Sequence, residues 1–128
     1  YEMILAARDA QIHSRIISSS EGYGEQIQEN GRNFSGGELQ RMSLARALST
    51  EPTILILDEF TSALDNKTEA KVIKAIKDRG ITCIVISHRL SVVTLCDEIV
   101  VLDNGKIVGL ANPVLVCHLE ELRTNGCK

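Results

Sequence analysis

Two apolar runs, Ile54–Leu57 and Ile81–Ile86, stand on either side of a segment with helical periodicity. That order constrains the fold more than any other feature of the chain. Four or more apolar residues without alternation read as a strand buried on both faces of a parallel sheet. Between the runs, Ala70, Val72, Ile73, Ala75 and Ile76 supply the apolar face of a helix over about 66–79, with Gly80 just past its end. Strand, helix and strand of this length imply a right-handed parallel crossover. Both strands then finish at one sheet edge, so Asp58-Glu59 and Ser87-His88 emerge there together. Ligands of open α/β sheets bind outside that edge. One carboxylate there suits Mg²⁺ and a second suits the polarising of an attacking water. The bland alternative is a pair of acids capping a surface strand.

Upstream, Ser35-Gly36-Gly37-Glu38 precedes a helical run from Leu39 to Ser49, which Thr50-Glu51-Pro52 breaks. The glycines allow close backbone approach to a ligand. The helix start offers N–H groups and the positive end of a dipole, an arrangement suited to phosphate. Residues 2–13 read as one Ala-rich helix, with His13 as a surface residue at its end, and 22–33 as a Gly-rich loop. Lys67, Lys71, Lys74 and Lys77 form a solvated outer face of the 66–79 helix. Ser91 caps a short helix, Val92–Cys96, and Asp103-Asn104-Gly105 joins strands Glu98–Leu102 and Lys106–Leu110 as a hairpin. Pro113 opens a last helix with Leu115, Val116, Leu119 and Leu122 on its apolar face and a structural or exposed His118 among them.

Composition narrows the class. A net charge of −3 without a basic stripe, together with 3% aromatics, argues against a nucleic-acid partner. No apolar run approaches the roughly 20 residues of a membrane-spanning helix. Cys83, Cys96, Cys117 and Cys127 lack metal-ligand spacing and read as reduced thiols in a cytosolic compartment.

Taken together, Phe34-Ser35-Gly36-Gly37-Glu38, Gln40-Arg41, Ala45-Arg46-Ala47-Leu48, Pro52, Ile54–Glu59 and Thr61-Ser62-Ala63-Leu64-Asp65 resemble, in order and spacing, the ATP-binding-cassette (ABC) ATPases. They look like the signature motif, Walker B strand and D-loop, and Ser87-His88 resembles the switch histidine. Glu29-Asn30-Gly31 resembles the Glu-x-Gly loop of exporter-type cassettes. The resemblance implies an α/β fold: part of a P-loop NTPase (RecA-like) core with a mostly parallel sheet, plus part of the α-helical subdomain. Residues of about 1–50 would belong to that helical subdomain, and about 51–128 to the core, hairpin and C-terminal helix.

By resemblance, ATP and Mg²⁺ are the cofactors. Ser35, Gly36, Gly37 and Glu38 would contact ATP held by a second cassette in a head-to-tail dimer. Asp58 would hold Mg²⁺ through water, Glu59 would be the general base, and His88 would fasten the γ-phosphate. Ser62, Ala63, Leu64 and Asp65 would form the D-loop, with Asp65 communicating across the dimer. The parent would hydrolyse ATP to power export at the cytoplasmic face of a membrane, partnered by a transmembrane domain. No Gly-x-x-x-x-Gly-Lys-Ser/Thr phosphate loop occurs in the 128 residues. The chain therefore reads as a soluble C-terminal fragment, inactive alone, and either oligomeric, partly rearranged or marginally stable. The alternatives are a non-transport ABC ATPase of DNA repair or translation, or an inert truncation acting as a binding module. Phe34, Glu38, Leu39, Phe60 and Ala111-Asn112-Pro113 depart from the usual pattern; Glu38 adds a negative charge near a nucleotide.

Overall fold

The structure, a computed structural model, describes residues 2–112. In chain order the elements are α1 (Glu2–Asp9), α2 (His13–Ile17), α3 (Gly36–Leu48), β1 (Ile54–Asp58), α4 (Asn66–Asp78), β2 (Thr82–Ile86), α5 (Leu90–Val93), β3 (Ile99–Asp103) and β4 (Lys106–Ala111). Short 3-10 turns occupy Gly22–Gly24 and Glu29–Gly31. The expected helix after Pro113, with His118, Cys117 and Cys127, lies outside the described residues. The chain divides into two units, residues 1–87 and 88–128.

In the first unit, β1 and β2 pair in parallel with Ile54 opposite Thr82 and Asp58 opposite Ile86. α4 makes the crossover. Its start is set by Asp65, whose carboxylate accepts the N–H groups of Lys67 and Thr68. Val72 and Ile76 then join Leu44 and Leu48 of α3, Leu55 and Leu57 of β1, and Ala6, Ala7, Ala10 and Ile12 in one core. Each large aliphatic side chain buried there contributes about 1.5–3 kcal/mol. Arg79, beyond α4, ties this layer together: its Nε meets Asp9 Oδ2 at 2.6 Å, and its Nη1 donates to the Leu48 carbonyl at 3.3 Å.

Three expectations need correction. The strands are not buried on both faces: Leu55 and Leu57 are 7% and 6% exposed, but Ile54 and Ile56 are 60% and 64% exposed. Ile84 and Ile86 of β2 are likewise about half exposed. Helical side chains cover one face of the two-stranded sheet, and the isoleucines of the other face are each more than half exposed. The expected helix over 2–13 ends at Asp9. Gln11 takes a left-handed φ of 57°, Ile12 N–H donates to Ala7 O, and Gln11 N–H donates to Arg8 O. This is a Schellman stop closed by the buried Ala7–Ile12 pair, built without the usual glycine. His13 consequently starts α2 instead of ending α1; it is half-buried and shares a 2.8 Å hydrogen bond with the Tyr23 hydroxyl. Burial pushes the Tyr23 phenol above its ordinary pKa.

The second unit contains α5 and the β3–β4 hairpin. Asn104 and Gly105 both take positive φ, 48° and 73°, as a two-residue hairpin turn requires. The short helix is the third correction. It starts at Leu90, not after Ser91, and has no side-chain cap.

Candidate functional site

Ser35 and Glu38 build the start of α3. Glu38 N–H donates to Ser35 Oγ at 3.2 Å, and Ser35 N–H donates to Glu38 Oε2 at 2.8 Å. This capping box starts the helix at Gly36, three residues before the expected Leu39. It satisfies two of the four N–H groups that a helix start leaves without partners. The N–H groups of Gly36 and Gly37 have no partner among the described residues. Gly36 is exposed, with no atom within 4 Å of the place a Cβ would take. Gly37 differs: it is buried, and its Cβ would lie 2.8 Å from the Ala63 carbonyl oxygen. One glycine therefore faces solvent, and the other lets α3 seat against the 59–65 turn.

That turn is tightly closed. Ser62 N–H donates to Glu59 O, Leu64 N–H donates to Thr61 O, and Gln40 Nε2 reaches Ser62 Oγ at 3.4 Å. Thr61 and Leu64 are buried, while Ser62, Ala63 and Asp65 are exposed. Asp65 has a local role, since it caps α4. The Thr68 hydroxyl, 2.7 Å from Asp65 Oδ2, and the Thr68 N–H hold its carboxyl below the ordinary range.

Asp58 ends β1 and is exposed. Glu59 is half-buried and left-handed, with φ 46°. Its N–H donates to the Ile86 carbonyl at 2.9 Å, so the end of β2 fixes the peptide that carries this carboxylate. A strained residue of this kind persists only where its surroundings determine it. Ser87 follows Ile86, which stands opposite Asp58 at the same edge. His88 is the first residue of the second unit and is exposed there. Phe60 packs against the core. With Leu39, Gln40, Ser43 and Asp58 it lines an open groove of about 390 Å³ between α3 and the end of β1.

Arg15 is a residue that sequence reading passed over. From α2 its Nε lies 3.4 Å from Glu38 Oε1 and its Nη1 3.4 Å from Glu25 Oε2, while Nη2 donates to Asn33 O at 3.3 Å. The guanidinium sits 4.6 Å from the centre of the Phe34 ring. Asn33 in turn bonds Glu25, Gln26 and Gln28, so the expected loose loop is cross-braced. Gly31 closes it with φ +65°; a Cβ there would lie 2.6 Å from a Leu39 methyl. No spacing rule signals an arginine whose partners lie 10 to 23 residues away.

The donor set fits part of a magnesium nucleotide. The unpartnered N–H groups at Gly36 and Gly37 suit a phosphate, and Asp58 with Glu59 suits a hydrated cation and a water. No group of three or more His, Cys, Asp or Glu side chains able to hold a metal gathers among the described residues. A magnesium ion would therefore need phosphate oxygens and water as well.

Comparison with known proteins gives concordant matches. The family model described as ABC transporter matches residues 7–62. The heavy metal tolerance protein of Schizosaccharomyces pombe is 47% identical over 109 residues, 84% of this chain and 13% of that protein. ABC transporter B family member 6 of Dictyostelium discoideum is 51% identical over 109 residues, 84% of this chain and 16% of that protein. ABC multidrug transporter MDR5 of Trichophyton rubrum is 46% identical over 127 residues, 98% of this chain and 9% of that protein. A solved bacterial Atm1-family ABC exporter with ATP bound superposes with a TM-score of 0.84 at 33% identity, covering 99% of this chain and 23% of that one. The chain thus spans less than a quarter of each protein it resembles here. Among the described residues, no helix is long and apolar enough to cross a membrane.

Proposed function

Because the chain belongs to the ABC transporter family, we propose that it supplies the signature, Walker B and switch-histidine segments of an ATP-hydrolysing cassette that powers export across a membrane. The observation that carries this reading is the acidic pair at the C-terminal edge of the parallel strands, with the Glu59 backbone held left-handed by its bond to Ile86.

Glu59 accepts the proton of an attacking water and orients it toward the γ-phosphate. Asp58 would hold a hydrated Mg²⁺, which would supply positive charge against the negative charge developing on the phosphate oxygens. His88 donates a hydrogen bond to the γ-phosphate. Across a head-to-tail dimer, Ser35, Gly36, Gly37 and Glu38 meet the nucleotide of the second cassette, chiefly through the open N–H groups at the start of α3. Ser62, Ala63, Leu64 and Asp65 form the turn that links this helix start to the acidic pair. The cassette works at the cytoplasmic face of a membrane, coupled to a transmembrane domain through the loop over 22–33 that carries Glu29-Asn30-Gly31. The names of the relatives and the exporter likeness support transport over DNA repair or translation.

These 128 residues contain no phosphate loop, so the chain alone is expected neither to bind Mg-ATP in calorimetry nor to turn it over. The test of the catalytic assignment is Glu59→Gln in the full-length protein. Hydrolysis should fall by at least about 100-fold, in line with loss of a general base, while Mg-ATP binding persists. Normal hydrolysis in that variant would refute the assignment.

A further inference from the structure

Glu38 presents a difficulty for the reading above. It puts a carboxylate on the first turn of the helix proposed to receive a phosphate, and like charges at close range repel. The structure contains a remedy. Glu38 Oε2 is engaged by the Ser35 N–H at 2.8 Å, and Glu38 Oε1 faces the Arg15 guanidinium, with Nε at 3.4 Å. Both side chains are largely shielded, at 29% and 22% exposed, so their attraction is less screened than at an open surface. The guanidinium is itself fixed by the Phe34 ring, the Asn33 carbonyl and Glu25.

We propose that Arg15 is a positioning residue that offsets the charge of Glu38 and holds it in the capping box, so that the N–H groups of Gly36 and Gly37 can donate to a phosphate despite the neighbouring carboxylate. This rests on the phosphate reading of the α3 start. Arg15 touches no substrate; it acts through Glu38. Its contacts with Asn33 and Phe34 also brace the segment that leads into the same helix start.

The test is a charge cycle on steady-state Mg-ATP hydrolysis by the full-length protein. Arg15→Met keeps the apolar stem against Phe34 and removes the charge. It should raise KM for ATP about five- to tenfold, the scale of one partly screened charge, and change kcat less than about twofold. Adding Glu38→Gln to Arg15→Met should lower KM at least about threefold from that of the single variant, since the uncompensated carboxylate is gone. Arg15→Lys keeps the charge and should stay within about threefold, which covers the case that the methionine variant fails to fold. Failure of the double variant to recover, or an unchanged KM in Arg15→Met, would overturn the compensation.

A second readout needs no nucleotide. In the 128-residue chain, the Arg15 Nε–H resonance should exchange with solvent faster, and shift, in Glu38→Gln. An unchanged resonance would overturn the pairing itself. If the resonance moves as expected but KM is indifferent to all these variants, the pair exists and the phosphate reading of α3 is what fails.

Discussion

Replacing Gly37 by alanine should destabilise the chain, whereas the same change at Gly36 should not. In helical peptides alanine is about 1 kcal/mol better than glycine. At Gly36 no atom lies within 4 Å of the new Cβ, so part of that gain should appear, about 0.5 kcal/mol in a first turn. At Gly37 the Cβ would stand 2.8 Å from the Ala63 carbonyl oxygen, more than half an ångström inside ordinary contact. Neither side yields easily. The capping box fixes the start of α3, and the Thr61–Leu64 hydrogen bond closes the turn that carries Ala63. Overpacking of this kind costs about 1–3 kcal/mol, which exceeds the propensity gain. The two variants should therefore differ by about 1–3 kcal/mol, or several degrees in melting temperature. Urea unfolding followed by far-ultraviolet circular dichroism measures the gap. Two alanine variants of equal stability would show that the α3 start does not seat on the 59–65 turn as described.

Two further outcomes follow from the same geometry. The Asp65 carboxyl is held low, first by the Thr68 hydroxyl. A lowered folded-state value contributes stability above the ordinary 3.8, and that stability is lost as pH falls through the folded value. The stability difference between wild type and Asp65→Asn should thus be steady near neutrality and shrink in acid; urea midpoints showing a constant difference across that range would contradict it. The second concerns the outer face of β1 and β2, where Ile54, Ile56, Ile84 and Ile86 are each more than half exposed. Apolar faces of this sort promote association, so sedimentation should show concentration-dependent self-association of the chain that Ile56→Lys with Ile84→Lys reduces. A stable wild-type monomer at all concentrations would count against it.

Much of the site was legible because its signals are short-range. The Asn-Gly hairpin acts within four residues and formed where its residue types stood, whereas the equally local Ser35–Glu38 capping box starts α3 three residues before the expected Leu39. The strand–helix–strand order forced Asp58, Glu59 and Ser87 to one edge, which the parallel register reproduces. The Schellman stop at Gln11 was not legible, because its glycine was absent and its support came from the packing of Ala7 on Ile12. The braced loop over 25–34 escaped notice for a related reason: its order comes from Arg15 and Asn33, side chains whose partners are set by the fold.

By itself, then, the sequence determined the strand–helix–strand order with its parallel pairing, the hairpin turn, and the family. These depend on periodicity and on contacts between near neighbours in the chain. Tertiary structure decided which side of each strand is covered, so that Leu55 and Leu57 lie inside and Ile54 and Ile56 outside although all four are aliphatic. It also decided that Gly36 is open while Gly37 is pressed against Ala63, and that Arg15 faces Glu38. Burial and charge pairing depend on what stands opposite a side chain in space, and a linear pattern does not carry that information.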